Sequence, residues 1–398
     1  MTETHAKYSP SKLPRIILCP GSIQETQDCP PEDESSYANE GTMLHLVTSN
    51  HLDNNEFTVL QSSVESFNLD QPQIDAVQEC LDYAFNLHQL YEGEEFYTQA
   101  ETQVSLSPAA EEYHCPELED VYGTLDYAMI IPSLHTLHIV DWKFGSGIEV
   151  FPDSAQLKAY ALGKVLRMKW MKPEDKVLLT IAQPRLYSGE LVKTHEMTKA
   201  ELLSWLKDEL VPALRLINAK HPPLRPSKMA CQWCAAKTTC SARRKQNLAT
   251  ALEVFQVHAQ LPDPVEEDLL NLLAKAGDLK QFLSDIETWV FRNIQKGRQV
   301  EGWKLVQVRS IRKWGKPEKE VKQYVAKFVK DSESLYIKKF VSPAQAEKLV
   351  GAKIKKDKDF QDLIVKPEGK PTLVPETDKR PAIPYRTAAE IFSDEPLL

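Results

Sequence analysis

The sequence predicts an α/β protein, with strands that share a sheet, helices that cover it, and a smaller C-terminal α+β region. Three observations lead there. Short apolar runs at 96–106, 121–131, 135–143 and 176–184 have the length and residue types of strands. Segments with helical apolar spacing precede, separate and follow them. After residue 300 the chain turns basic and alternating, then Pro-rich.

The elements follow in order. Residues 1–35 are rich in Pro, Asp, Glu and Ser and read mostly as loop. A helix is expected over 37–51, carrying Met43, Leu44 and Val47, and another over 72–91, where Ile74, Val77, Leu81, Ala84 and Leu87 recur near helical spacing. Three of the strand runs come next. Pro152-Asp153-Ser154 then suits a helix start, since acid and hydroxyl side chains cap free N–H groups. The run KVLLTIAQP precedes a helix over 198–218, and 221–245 is rich in Pro and Cys. A long amphipathic helix or helix pair covers 264–296, GWKLVQVRSIRKW alternates like a strand or hairpin, and a helix follows over 317–330. The tail from Lys366 is expected to be extended. Domain boundaries are expected at 1–245, 246–300 (a helical connector), 301–365 (basic, α+β) and 366–398 (the tail).

A chain of 398 residues suits two or three domains. No run approaches the roughly 20 apolar residues of a membrane helix, so no membrane association is expected. MTETHAKYSP lacks the charged and apolar regions of a secretory signal, which makes cytoplasmic the expected location. There the seven Cys are more readily free, metal-bound or redox-active than disulfide-bonded. Net charge is −9, unevenly spread: residues 16–142 hold 24 acids and no Lys or Arg, whereas residues 143–398 sum to +13. A solvated acidic surface explains most such runs; acids gathered around metal ions, with basic segments holding a polyanion, would also explain this one, as would an acidic half that mimics a polyanion.

The runs 121–131 and 135–143 flank Pro132-Ser133-Leu134. If they form a hairpin with Ser133-Leu134 at its turn, Asp126 faces Asp141 on the same side of the sheet, with Cβ atoms roughly 5 Å apart. Lys143, two residues beyond Asp141, shares that side. Opposed carboxylates destabilise a sheet unless a cation lies between them, and oxygen ligands suit magnesium or manganese. Leu137, His138, Ile139, Val140 and Trp142 make both faces apolar, the pattern of a central strand, where ionised groups are expensive unless they are paired or bind metal.

These fragments carry a resemblance. GTLD at 123–126, DWK at 141–143, QLKAY at 156–160 and EGTMLH at 40–45 together resemble the PD-(D/E)XK nuclease superfamily, and within it the RecB-like branch. The resemblance implies a restriction-endonuclease-like core with a central mixed sheet. It implies that Asp126, Asp141, His45 and the Trp142 carbonyl bind Mg2+ or Mn2+, and that Lys143 handles the attacking water and the phosphate charge. Gln156 and Tyr160, one helical turn apart, match the branch's helix motif, and Glu101 fits an acidic position of some relatives.

CQWCAAKTTC supplies Cys231, Cys234 and Cys240; Cys19, 212 residues before Cys231, is the best fourth ligand and Cys29 a weaker one. Spacing alone does not separate structural zinc from iron–sulfur. An N-terminal Cys before the core and C-x2-C-x5-C after it resemble the 4Fe–4S staple of AddB-type nucleases and of the CRISPR-adaptation exonucleases. That resemblance implies a 4Fe–4S cluster on Cys19, Cys231, Cys234 and Cys240, with Cys80 and Cys115 as ordinary thiols. SPSKLPRIILCPGS at the start and LVPETDKRPAI near the end extend the likeness to a phage- and prophage-borne family of RecB-like proteins, which places the chain in a bacterial host cell.

The expected function is a metal-dependent DNA exonuclease in phage recombination, replication or DNA breakdown. It would act on single-stranded DNA or DNA ends, with a phage single-strand annealing or binding protein as a further partner. The helicase loop G-x-x-x-x-G-K-[ST] is absent. Two other readings are a non-cleaving binder of DNA ends or of a recombination partner, and an acidic DNA mimic. Residues 292–330 hold 12 bases and 3 acids, with Trp303, Trp314 and Tyr324 interleaved. This stretch is expected to hold the DNA backbone through Arg309, Arg312 and Lys313.

Overall fold

A computed structural model describes residues 6–29, 36–145, 147–186, 189–260, 266–307, 313–329, 342–350, 354, 357–365, 371–375 and 380–383. Two compact units divide at Leu272/Leu273, inside the stretch read from sequence as a connector.

The first unit is built on a five-stranded mixed sheet of order β1-β2-β3-β4-β5: β1 (Tyr97–Ser105), β2 (Tyr122–Ile131), β3 (Thr136–Trp142), β4 (Lys176–Ala182) and β5 (Val192–Thr198). Neighbouring strands are antiparallel except β3 and β4, which run parallel. Tyr127 pairs with Val140 and Ile131 with Thr136, the register that brings Asp126 opposite Asp141. The connection is a 3-10 turn over Pro132–Leu134, closed by His135 with φ of 50°. Its four residues preserve the pairing that a two-residue turn would impose.

Period-two alternation separates the two faces of the sheet. Leu137 and Ile139 enter one core with Val177, Leu179 and Ile181, whereas Val140 and Trp142 enter the other. Helices α1 (Leu13–Leu18), α6 (Ala155–Val165), α7 (Lys199–Trp205) and α8 (Val211–Ile217) supply the first core; α3 (Ser36–Asp53) and α5 (Gln71–Leu90) supply the second. A capping box starts α5: Asp70 Oδ1 accepts from Gln73 N–H at 2.9 Å, and Gln73 Oε1 accepts from Asp70 N–H at 2.9 Å. Ser154 caps α6, the crossover between β3 and β4, by accepting from Leu157 N–H at 3.3 Å. Gly163 lets α6 lie close on β1: a Cβ there would stand 2.8 Å from that of Val104.

Several elements depart from the sequence reading. Within the described residues 6–29 the chain is not mostly loop, because α1 and the single turn α2 (Ser22–Glu25) form there and bury Leu13, Ile16 and Ser22. The helix expected over 198–218 contains a π-helical turn at Leu206–Leu210 between α7 and α8. Helix α4 (Gln61–Phe67) and strand β5 have no counterpart in that reading. The Cys-rich stretch contains α9 (Lys228–Gln232) and the start of α10 (Ser241–Gln260), and α11 spans Glu266–Gln295.

In the second unit, β6 (Trp303–Gln307) and β7 (Lys313–Trp314) do not form a hairpin with each other. β6 pairs with β9 (Pro371–Pro375) and β7 with β8 (Ile364–Val365). Within β6, Leu305 and Val306 are buried. Helix α12 (Glu318–Val325) contributes Val321 and Val325 to a small core with Ala346, Ile354 and Phe360.

Candidate metal centre

The candidate site lies where β2 and β3 separate. Their ladder ends at Tyr127 and Val140. Beyond it Asp126 Oδ2 accepts the Trp142 N–H at 2.7 Å, so the side chain takes over a donor the sheet would otherwise use. β3 continues on its other side, where Asp141 pairs with Ile181 and Lys143 N–H donates to Ala182 O at 2.9 Å. The segment that carries Asp141 and Lys143 is therefore held from both flanks.

Across β2, Ala100 pairs with Tyr127 and Thr102 with Leu125, which leaves Glu101 opposite Asp126. Glu101 has φ of 41°, a left-handed backbone that costs a non-glycine residue energy and often marks a functional position. From α3, His45 Nδ1 reaches Asp126 Oδ1 at 3.4 Å. His45, Glu101 and Asp126 each offer a ligand atom, and these lie within 4.8 Å of one another.

Asp141 completes the acidic side. It is 1% exposed, with Lys143 Nζ at 2.6 Å from Oδ2 and Gln156 Nε2 donating to Oδ1 at 3.3 Å. The ion pair leaves Oδ2 without a well-aligned hydrogen bond. Gln156 Nε2 also donates to the Tyr160 hydroxyl at 3.2 Å, as their spacing on α6 allows. His45, Glu101, Asp126, Asp141, Trp142, Lys143, Gln156 and Tyr160, all singled out in the sequence, thus converge.

The electrostatics favour an added cation. Burial pushes the Asp141 carboxyl up to about 6, and Lys143 offsets only part of that. Burial and the neighbouring Asp126 raise Glu101. Burial works against the charged forms of His45 and Lys143, yet the surrounding carboxylates raise both above their ordinary values. Carboxylates held above their usual range, beside an imidazole, are the donor set of a hard divalent ion.

The structure adds residues that the sequence reading did not assign. Gln183, just past β4, donates through Nε2 to the carbonyls of Gly145 and Ile148 at 2.8 Å each, and its Oε1 accepts from Val150 N–H at 3.2 Å. One amide thus pins the loop after Lys143; its signal was a polar residue ending an apolar strand. Glu40 accepts from Arg185 Nη1 at 2.9 Å and from Gln73 Nε2 at 3.0 Å, tying α3 to the end of β4.

Cys19, Cys231, Cys234 and Cys240, far apart in sequence, are buried and line one cavity. Burial raises the thiols of Cys231 and Cys234. Among the described residues no three of these sulfurs lie within 4.8 Å of one another. Cys80 sits in the α5 core and Cys115 donates to Glu117 Oε2 at 3.3 Å, both away from the cavity. Arg309 and Arg312 lie outside the described residues, and Lys313 is in β7.

Fold and site define an α/β protein whose mixed sheet carries a carboxylate–histidine group, buried at Asp126 and open to solvent at Glu101, that could hold a metal ion. No helix among the described residues is long and apolar enough to cross a membrane. The chain belongs to the family described as "Protein of unknown function (DUF2800)", whose model matches residues 5–381.

Proposed function

We propose that the chain is a metal-dependent deoxyribonuclease with a PD-(D/E)XK core of the RecB-like kind, acting as an exonuclease on DNA ends or single strands. The convergence of His45, Glu101 and Asp126 within 4.8 Å, beside the ion pair of buried Asp141 with Lys143 at 2.6 Å, carries the reading. Asp126, Asp141, His45 and the Trp142 carbonyl would hold Mg2+ or Mn2+, with Glu101 as a further carboxylate. Such an ion, when bound, lowers the pKa of its water and neutralises charge developing on a phosphodiester. Lys143 brings a cation to the same oxygens and, as a charged ammonium, can orient the attacking water and offset the phosphate charge. Gln156 keeps Asp141 oriented, and Gln183 keeps the following loop in place.

The cysteine cavity supports a 4Fe–4S group on Cys19, Cys231, Cys234 and Cys240. The group would join the N-terminal segment to the Cys-rich segment that follows the sheet. A role in phage recombination, replication or DNA breakdown inside a bacterial host, alongside a single-strand binding or annealing protein, fits such an activity.

Anaerobically purified protein incubated with end-labelled single- and double-stranded DNA, with and without Mn2+, tests the reading. Metal-dependent release of nucleotides is expected, and it should be absent from Asp126→Ala and Asp141→Ala. Cleavage that persists in both variants refutes the site. DNA binding without cleavage under all conditions points instead to an end-binding protein on the same fold.

A further inference from the structure

The cavity lined by the four cysteines is also lined by Ser22. Ser22 is 2% exposed, and its Oγ has no hydrogen-bond partner. A buried hydroxyl left unmet costs roughly 1–3 kcal/mol, so this one is expected to serve a group that the protein itself does not supply. The backbone of Ser22 is already occupied. Its N–H donates to Cys19 O at 2.9 Å, and its carbonyl accepts from Thr26 N–H at 3.2 Å and Thr26 Oγ1 at 2.8 Å. The side chain is what remains available to the cavity.

The position of that hydroxyl is set by a close chain crossing. Gly21 N–H donates to Pro223 O at 3.0 Å, and a Cβ on Gly21 would stand 2.8 Å from both Pro222 O and Leu224 Cδ2. Only glycine admits this approach, which holds the Cys19–Ser22 turn against the segment leading to Cys231. The same segment supplies a second donor, since Arg225 N–H reaches Cys19 Sγ at 3.2 Å. Positive charge stands nearby: Arg15 acts on Cys234 and Arg243 on Cys231, while Arg15 Nη1 donates to Trp233 O at 3.2 Å and Arg243 Nη1 to Lys237 O at 2.9 Å. The carboxylate on the cavity wall is that of Glu25. Donors and cations around four sulfurs suit an occupant that carries net negative charge on sulfur.

We propose that the Ser22 hydroxyl donates a hydrogen bond to a sulfur of the iron–sulfur group held by Cys19, Cys231, Cys234 and Cys240, and so sets that group's reduction potential. The inference rests on the iron–sulfur reading of the cavity. Hydrogen bonds to cluster sulfurs stabilise the reduced form, which carries one more negative charge, and therefore raise the potential. Ser22 is a positioning and tuning residue here, not a ligand.

The test compares anaerobic wild-type protein with Ser22→Ala and Ser22→Thr, first by iron and zinc content, then by redox titration followed by electron paramagnetic resonance. About four irons per chain are expected in all three. The potential should become more negative in Ser22→Ala and return close to wild type in Ser22→Thr, which restores the donor. Fully iron-loaded Ser22→Ala with an unchanged potential overturns the proposal and leaves the iron–sulfur reading intact. Stoichiometric zinc without iron in the wild type overturns both. If Ser22→Ala does not load iron, the wild type decides. Unfolded and reconstituted in D2O, it should show at its reduced cluster, by electron–nuclear double resonance, a coupled deuteron additional to that of the Arg225 N–H. Absence of that second deuteron overturns the proposal.

Discussion

Replacing Asp141 by Asn should stabilise the metal-free protein while abolishing its metal response. Asp141 is 1% exposed, and burial moves its carboxyl from 3.8 to about 6 even with Lys143 at 2.6 Å. The folded-state value lies above the unfolded one, so the fold binds the extra proton between these values and loses stability as pH rises through 6. About two units at 1.36 kcal/mol each make the ionised carboxylate cost roughly 3 kcal/mol above pH 7. Asn keeps the shape and removes that charge, so Asp141→Asn in EDTA at pH 7.5 should gain up to about 3 kcal/mol. Wild type should recover stability as Mn2+ is added, by about 2.7 kcal/mol at a hundredfold excess over Kd. The variant should gain little and should not cleave DNA. Urea denaturation in EDTA and in Mn2+ reads both effects. A variant that is less stable than wild type in EDTA, yet keeps the full Mn2+ response, would falsify the assignment of Asp141 as a metal ligand strained by burial.

Three further outcomes are expected. Lys143→Met should lose at least a hundredfold in cleavage rate, in line with the loss of one preorganised electrostatic group, while Mn2+ still raises its thermal midpoint; wild-type turnover would rule out a role in the chemistry. His138, 3% exposed with Nε2 at 2.8 Å from Thr180 Oγ1, is pushed by burial down to about 4. Its folded value is the lower one, so the unfolded chain takes the proton first and stability falls as pH drops from 6.5 to 4; relative to His138→Gln, wild type should lose about 3 kcal/mol across that window, and a pH-independent difference contradicts this. Replacing Arg309, Arg312 and Lys313 together by Ala should weaken DNA binding and flatten its dependence on log salt by roughly 0.7 to 0.9 for each phosphate no longer neutralised, without changing iron content; an unchanged salt slope assigns the basic stretch to something other than DNA.

Much of the candidate site was legible in the sequence because it rests on local rules. Strand alternation and a short turn determine which residues of β2 and β3 face each other, so the Asp126–Asp141 opposition follows from numbering alone. Helical spacing determines that Gln156 and Tyr160 share a face of α6. The apolar runs of β2, β3 and β4 fill both faces of the sheet and could be recognised for that reason. β5 could not, because its polar residues lie at a sheet edge where burial leaves no apolar signature.

Long-range packing decided the rest. The parallel pairing of β3 with β4 depends on α6 crossing one face, and it is this crossing that delivers Gln156 to Asp141. The left-handed Glu101 opposite Asp126 and the reach of His45 from α3 exist only once three separate segments dock. β6 found its partner in β9 more than 60 residues on, where a local reading offered a hairpin with β7. Spacing alone pointed to Cys231, Cys234 and Cys240. Their meeting with Cys19 and the unmet hydroxyl of Ser22 required a chain crossing 200 residues away, which no local periodicity encodes.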